Sequence, residues 1–295
     1  MTDRPSPTGS DGRSFGSVAD VYDRGRPSYT RDAVAWATSA EPLTVLELGA
    51  GTGKLTEQLV ALGHDVHATD PDAAMLDLLR ARLPEVRTSV TGAEEIPATG
   101  RSYDVVIAAQ AFHWFDHERA LPEIARVLKP GGHLAVVFNS RDERIPWVKK
   151  LGRIIASPPP EQGSLAVLVS AQDFDQPTTE SFKNWQTVDR RTIQDLVASR
   201  SDVISLGEEE RAAKLAEVLA LYDDYGRGMD GMQLPYLTRC LRAQVVDRPD
   251  APGLDLERRD GAGDSRNEPT MPIRPIPPIP PPTDDDSGML LIDFR

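Results

Sequence analysis

The residue types best suited to chemistry lie between Val45 and Asp70. Val45-Leu46-Glu47-Leu48-Gly49-Ala50-Gly51-Thr52-Gly53 sets three alternating glycines directly after an apolar run. Glycine has no Cβ, so such a stretch lets the backbone turn sharply and a ligand come close to it. Three kinds of ligand compete for the turn. A phosphate-binding loop needs G-x-x-x-x-G-K-[ST]. Gly53-Lys54 supplies the G-K, but Leu55 stands where Ser or Thr belongs and Leu48 where the first glycine belongs, so that reading fails. A dinucleotide turn needs G-x-G-x-x-G, and its third glycine position falls on Lys54. Variants of that spacing exist, so a nicotinamide oxidoreductase stays as an alternative. The third ligand is a nucleoside without a diphosphate. The glycines then admit its amino-acid part, and Glu47 meets its amine directly or through water. Asp70, about 20 residues beyond the glycines, belongs at the end of the next strand, where its two oxygens can accept both ribose hydroxyls. An Asp at a strand end also serves commonly as a helix cap, and Asp70-Pro71-Asp72 has the composition for that role.

A second candidate is His113, in Gln110-Ala111-Phe112-His113-Trp114-Phe115. It follows the apolar run Tyr103–Ala109, and strand ends of that kind face the ligand crevice in open parallel sheets. His113 is a candidate catalytic base, a donor that orients an acceptor, or a packing residue beside Trp114. Trp114 and Phe115 would wall an apolar acceptor pocket, with core packing the alternative for Phe115. His64, His67, His117 and His133 have no spacing that gathers them with carboxylates, so no metal is expected. No nucleophile elbow occurs either.

The elements that must hold these residues alternate. Leu43–Leu48 reads as a buried strand between Pro42 and Gly49, followed by a helix over 54–62 with Leu55, Leu59 and Leu62 at helical spacing. A strand over 65–69, a helix over 73–83, a strand over 86–90 and a strand over 103–109 follow. A helix over 118–128 is broken by Pro130-Gly131-Gly132, which starts a strand over 133–138. Strands separated by single helices call for a parallel sheet with right-handed crossovers. Beyond Asn139 the pattern weakens to helices over 147–156, 193–199 and 208–225 and strands over 184–188 and 235–246, expected to complete the sheet and cap the site.

Residues 1–14 and 247–295 carry the composition of disordered ends. The second holds Pro269–Pro282, PTMPIRPIPPIPPP, which favours polyproline II and prevents a packed core. It is expected to be a flexible tail; a docking peptide for a protein partner is the alternative use. Residues 15–246 form the expected folded domain. The net charge of −13 repels phosphate backbones and makes nucleic acid a poor acceptor. No apolar run approaches the ~20 residues of a membrane span, Met1–Ser14 lacks the apolar stretch of a secretory signal, and Cys240, the only cysteine, leaves no internal disulfide. A cytoplasmic protein is expected.

VLELGAGTGKLT (45–56), ATDPDAAML (68–76), GAEEIP (92–97), YDVVIAAQAFHWF (103–115) and IARVLKPGGHLAVV (124–137) together resemble the class I S-adenosylmethionine-dependent methyltransferases, in that family's order and spacing. The resemblance covers about the first half of the chain. It implies a Rossmann-like methyltransferase fold: a doubly wound, mostly parallel seven-stranded α/β sheet with helices on both faces and a helical N-terminal cap. It implies S-adenosylmethionine as cofactor, with Glu47, Gly49 and Gly51 at the methionine end, Asp70 at the ribose, Ala93 and Glu94 beside the adenine and Gln110 near the methionine. Phe15–Pro27 looks like the cap of small-molecule members, which makes Tyr22 and Arg26 candidate cofactor residues, with ordinary surface helix as the alternative. The segment Ala111–Phe115 is similar to that of members methylating small organic acids, which implies methyl transfer to a small acceptor, a carboxylate or a hydroxyl. A cofactor-binding regulatory or scaffold protein without turnover is the alternative.

Overall fold

The computed structural model describes residues 24–155, 163–225 and 231–246. Both expected disordered ends and residues 15–23 of the expected cap, Tyr22 among them, lie outside the described residues.

Seven strands form one sheet: β1 (Thr44–Leu48), β2 (Asp65–Asp70), β3 (Arg87–Val90), β4 (Tyr103–Ala109), β5 (Leu128–Arg141), β6 (Thr178–Val188) and β7 (Met232–Gln244). Their order is β3-β2-β1-β4-β5-β7-β6. The first five run parallel, and β7 lies antiparallel between β5 and β6. The expected mostly parallel sheet is therefore mixed at one edge. The chain winds outward from β1 in one direction and returns to β4 on its other side, so a crevice opens beyond the carboxyl ends of β1 and β4.

The strands could be read because both faces of the sheet are covered. Val45, Val105, Ile107, Ala135 and Val137 face α1 (Arg31–Ala37), α2 (Lys54–Ala61) and α3 (Ala73–Arg82) through Val34, Leu55, Leu59, Leu76 and Leu79. Leu46, Leu48, Val106, Leu134 and Val136 face α4 (His117–Val127) and the short helix Ser164–Ser170 through Ile124, Val127 and Leu168. Alternate residues point to opposite faces, so a strand buried on both sides has to be apolar throughout. Fully burying each such side chain stabilises the fold by roughly 1.5–3 kcal/mol.

A third cluster lies at the carboxyl end of β5. It joins α5 (Pro146–Ile155), α7 (Thr192–Ala198), α8 (Ser201–Ile204) and α9 (Glu208–Tyr225), whereas α6 (Ser164–Ser170) packs in the sheet cluster through Leu168. The buried members of the third cluster are Val148, Leu151, Ile193, Leu196, Val203, Val218, Leu221 and, from the sheet, Val188, Leu234 and Tyr236. The short helices α1, α6 and α8 were not expected. Boundaries also differ: β6 runs over Thr178–Val188 where a strand over 184–188 is expected, and β5 starts earlier than expected. Strand β5 begins at Leu128 rather than after the glycines, because Leu128 pairs with Tyr103 and His133 with Val105 across a bulge. Pro130 has no N–H to give the ladder and Gly131 takes φ +78°, so the expected helix breaker is absorbed as an irregularity within the strand. Among the described residues no helix is long and apolar enough to cross a membrane.

Candidate active site

The glycine turn closes β1 and opens α2. Gly49, Gly51 and Gly53 all have positive φ, at 71°, 57° and 89°, which L side chains adopt only with strain. A Cβ on Gly49 would lie 2.4 Å from the Cβ of Ala111, so this glycine lets β1 and the segment after β4 come together. A Cβ on Gly51 would meet nothing within 4 Å, and Gly51 lines the main cavity. Its bare backbone is thus a surface that a ligand can approach. The turn is held to β2 by the Ala50 amide on the Thr69 carbonyl at 2.9 Å.

Glu47 sits beneath this turn, 1% exposed, and still lines the cavity. Its Oε2 accepts from the Thr56 hydroxyl at 2.6 Å, with Thr56 presented by the first turn of α2. Burial pushes its pKa from 4.5 up to about 8, the Thr56 hydrogen bond opposes that, and nearby Asp70 adds to it. Asp70 ends β2. One oxygen accepts from the Gly51 amide at 2.8 Å and the other from the Asp72 amide at 2.8 Å. Burial raises its pKa against those two bonds. The helix-cap alternative for Asp70 is taken instead by Asp72, whose side chain accepts from the Ala74 amide at 2.9 Å at the start of α3.

The cavity measures about 590 Å³ and runs from the glycine turn toward the helical cap. Gln110 lines it with φ +57°, a left-handed conformation that a non-glycine residue seldom takes and that is found often at functional sites. Its Nε2 donates to the Asn139 carbonyl at 3.0 Å. The Asn139 side chain is fixed in turn by Thr238 (2.5 Å) and by the carbonyl of Ser28 (3.1 Å), which ties the entering chain to β5 and β7. Gly25 rests so closely on α7 that a Cβ there would lie 2.5 Å from the Asp195 backbone, and the neighbouring Arg26 donates to the Ser199 carbonyl at 3.4 Å.

Of the residues expected from sequence, Arg26, Glu47, Gly49, Gly51 and Gln110 share this cavity, and Asp70 stands at its edge through Gly51. Ala93 and Glu94 do not line it. Ala93 is buried, and Glu94 accepts from the Asp116 amide at 2.9 Å ahead of α4. His113 does not line it either. Its ring packs 4.8 Å from Trp114 and 6.5 Å from Phe138, centroid to centroid, while keeping an exposed face. Desolvation, then the Arg26 and His117 charges, hold its pKa below the ordinary imidazole value. The other histidines bond within the fold, His64 to Thr38, His67 to Tyr103, His117 to the Phe112 carbonyl and His133 to the Ala37 carbonyl. Among the described residues no group of three or more His, Cys, Asp or Glu is gathered as if for a metal.

Sequence reasoning missed the far wall of the cavity. Arg141 at the end of β5 pairs in register with Tyr236 on β7, and Arg200 follows α7. Among the described residues, seven cationic side chains and three carboxylates line the cavity, in a chain with a net charge of −13. Arg141 and Tyr236 meet through strand register alone, so no local pattern announces them; the polar Asn139 directly after the apolar 134–138 run was the one available signal.

A methyltransferase domain family model matches residues 46–136. An uncharacterized methyltransferase of Mycobacterium tuberculosis is 44% identical over 235 residues, covering 79% of this chain and 96% of the relative. The malonyl-[acyl-carrier protein] O-methyltransferase of Methylococcus capsulatus is 35% identical over 136 residues, 42% of this chain and 49% of that one. Among solved structures, a candidate type II methyltransferase from Anaeromyxobacter dehalogenans superposes with a TM-score of 0.58 at 26% identity, covering 75% of this chain and 97% of its own. The Mycobacterium tuberculosis relative and the solved structure each cover three quarters or more of this chain, and with them the chain belongs to the class I S-adenosylmethionine-dependent methyltransferases.

Proposed function

We propose that the protein binds S-adenosylmethionine in the crevice at the ends of β1 and β4 and methylates a carboxylate oxygen of a small organic acid. The observation that carries this reading is a single cavity with Glu47 and the glycine turn at one end and a cation-rich wall at the other. The residues fit the cofactor. Gly51 leaves open the space its amino-acid part would occupy, and the buried carboxyl of Glu47 is a counter-charge for an ammonium. The two oxygens of Asp70 are suited to ribose hydroxyls, and Arg26 to the methionine carboxylate. Ala93 and Glu94 are retained as adenine neighbours on the family resemblance. The cofactor supplies an electrophilic methyl group on a sulfonium, with a thioether as leaving group.

The remaining work of the protein is alignment and exclusion of water. Gln110, held left-handed and bonded to Asn139, presents a fixed polar edge between the two ends of the cavity. A carboxylate is already a nucleophile and needs no base, which agrees with a histidine that packs on aromatics instead of lining the cavity. His113 in this reading shapes the wall together with Trp114. The malonyl-[acyl-carrier protein] O-methyltransferase relative supports oxygen as the acceptor atom.

The test is incubation of the purified protein with methyl-labelled cofactor and a metabolite extract, followed by mass spectrometry. The expected product carries one added methyl group and loses it in mild base, as an ester does. A base-stable product would refute the carboxylate assignment. Cofactor binding with no transfer across varied extracts would favour the regulatory alternative.

A further inference from the structure

We propose that Asn184 and Asn139 are positioning residues for methyl transfer: their side-chain amides together clamp the Ser28 carbonyl and so hold the entering strap, residues 26–30, as a wall of the cavity. The proposal rests on the methyl-transfer reading above for the ligand beneath that wall. It adds to the site a residue, Asn184, from β6 at the outer edge of the sheet.

The strap leads from Gly25 to the start of α1 and lies outside helix and strand. Its residues Arg26, Pro27 and Tyr29 line the cavity. Side chains of the sheet reach its backbone. The Ser28 carbonyl accepts from Asn184 Nδ2 at 2.7 Å and from Asn139 Nδ2 at 3.1 Å, which occupies both lone pairs of that oxygen. Gln186, two residues beyond Asn184 and so on the same face of β6, donates from Nε2 to the Gly25 carbonyl at 3.0 Å. On the helical side, Arg24 pairs with Asp195 of α7 at 2.9 Å.

Asn139, Asn184 and Thr238 are all buried, on a sheet face that otherwise carries Ala135, Val137 and Cys240. Polar side chains in such a place are costly unless they are bonded. Here the Thr238 hydroxyl donates to Asn139 Oδ1 at 2.5 Å, and Asn184 Nδ2 stands 3.4 Å from the same oxygen. Turning either amide over would set an oxygen against the Ser28 carbonyl, so the bonding network fixes both donors. A buried cluster satisfied in this way favours one arrangement over its neighbours. Asn139 carries a second constraint, because its backbone carbonyl receives Gln110 Nε2. Strap and Gln110 are thus placed by one residue. Asn184 does not line the cavity, so its effect on a bound ligand passes through the strap.

The test uses the full chain with S-adenosylhomocysteine as probe. Asn184→Asp keeps the shape but turns an oxygen to the Ser28 carbonyl, and Asn184→Leu keeps the volume without a donor. Asn184→Ser, too short to reach Ser28, is the milder variant should either fail to fold. Trypsin cuts after Arg24 when the strap lifts, whereas a cut after Arg126 in α4 requires wider opening. The ratio of the two, followed by mass spectrometry, separates local from global loosening. Each variant should raise that ratio about three- to tenfold and weaken S-adenosylhomocysteine by a similar factor, with faster dissociation, as for one lost bond to a buried group. Phe182→Leu, on the same strand and face but packed on Trp36, should lower the Tm and leave ratio and affinity within about twofold. An unchanged ratio and affinity in the folded Asn184 variants, or changes no larger than those of Phe182→Leu, would overturn the proposal. Failure of the wild-type chain to bind S-adenosylhomocysteine would instead strike the methyl-transfer reading, and the cleavage ratios would still decide the clamp.

Discussion

Glu47→Gln separates what the buried carboxyl does for folding from what it does for binding. The carboxyl is 1% exposed with its pKa raised from 4.5 to about 8. An acid whose pKa is higher in the folded state imposes no penalty below pH 4.5, where both states hold the proton. The penalty then grows by about 1.4 kcal/mol per pH unit up to about pH 8 and stays constant above it. At pH 7 it amounts to about 3 kcal/mol. Gln keeps an oxygen for the Thr56 hydroxyl and cannot ionise, so the cofactor-free variant should be more stable at pH 7 by up to that amount. For a domain of this size, calorimetry should register a Tm higher by about 5–10 °C. Binding should move the other way. At pH 7 about nine-tenths of Glu47 is protonated, and pairing it with an ammonium releases that proton. The cofactor's own amine titrates near 8, so wild-type affinity should peak close to pH 8 and fall about tenfold from pH 7 to pH 6. The variant should bind about ten- to a hundredfold more weakly at pH 8, with the gap closing toward pH 6. Titration calorimetry across that range reads both quantities. A wild-type profile as flat as that of the variant below pH 8, or a variant with no gain in Tm, would refute the assignment.

Four further outcomes follow from the same geometry. Asp70→Ala should weaken binding of S-adenosylmethionine by about 1–3 kcal/mol through loss of charged hydrogen bonds, read as a drop of roughly fivefold to 150-fold in calorimetric affinity. Gly51→Ala should lower stability by only about 1–2 kcal/mol for its left-handed backbone, yet abolish measurable cofactor binding, since its Cβ enters open cavity. Gly49→Ala should lower the Tm further, because its Cβ would collide with Ala111 at 2.4 Å. His113→Ala should leave kcat within about tenfold of wild type once the acceptor is known, against the 10²–10⁴ expected for removal of a general base, and a larger loss measured at constant KM would restore it as a catalytic residue.

What could be read from the chain divides by the range of the interactions involved. β1 and β4 were legible because burial on both faces leaves an unbroken apolar signature, and the glycine turn because its positive-φ positions exclude side chains. Asp70 was legible because a parallel neighbour must place its end beside that turn, and the Asp72 cap then removes the competing role. The bulge at 129–132 was not, since Pro130-Gly131-Gly132 reads equally well as a stop. Neither was the left-handed Gln110, a strained conformation that nothing in a glutamine announces. The candidacy of Gln110, Ala93 and Glu94 came from resemblance alone. The structure brings the first into the cavity and leaves the other two outside it.

The same division explains why the reaction class is more accessible than the acceptor. The cofactor end is assembled from residues within about one β-α-β unit, Glu47 to Asp70, so its chemistry is written in local spacing. The far wall depends on β7 entering antiparallel between β5 and β6, which sets Tyr236 opposite Arg141 and Asn184 opposite Tyr236. A slip of that register by one residue would turn Tyr236 to the other face of the sheet and dissolve the wall. The cap helices add Arg200 to the same place. Under the proposed function, methyltransferases sharing the local half are free to differ in the long-range half, so β5, β7 and the loop after α7 are where substitutions are expected to change the acceptor without loss of cofactor binding.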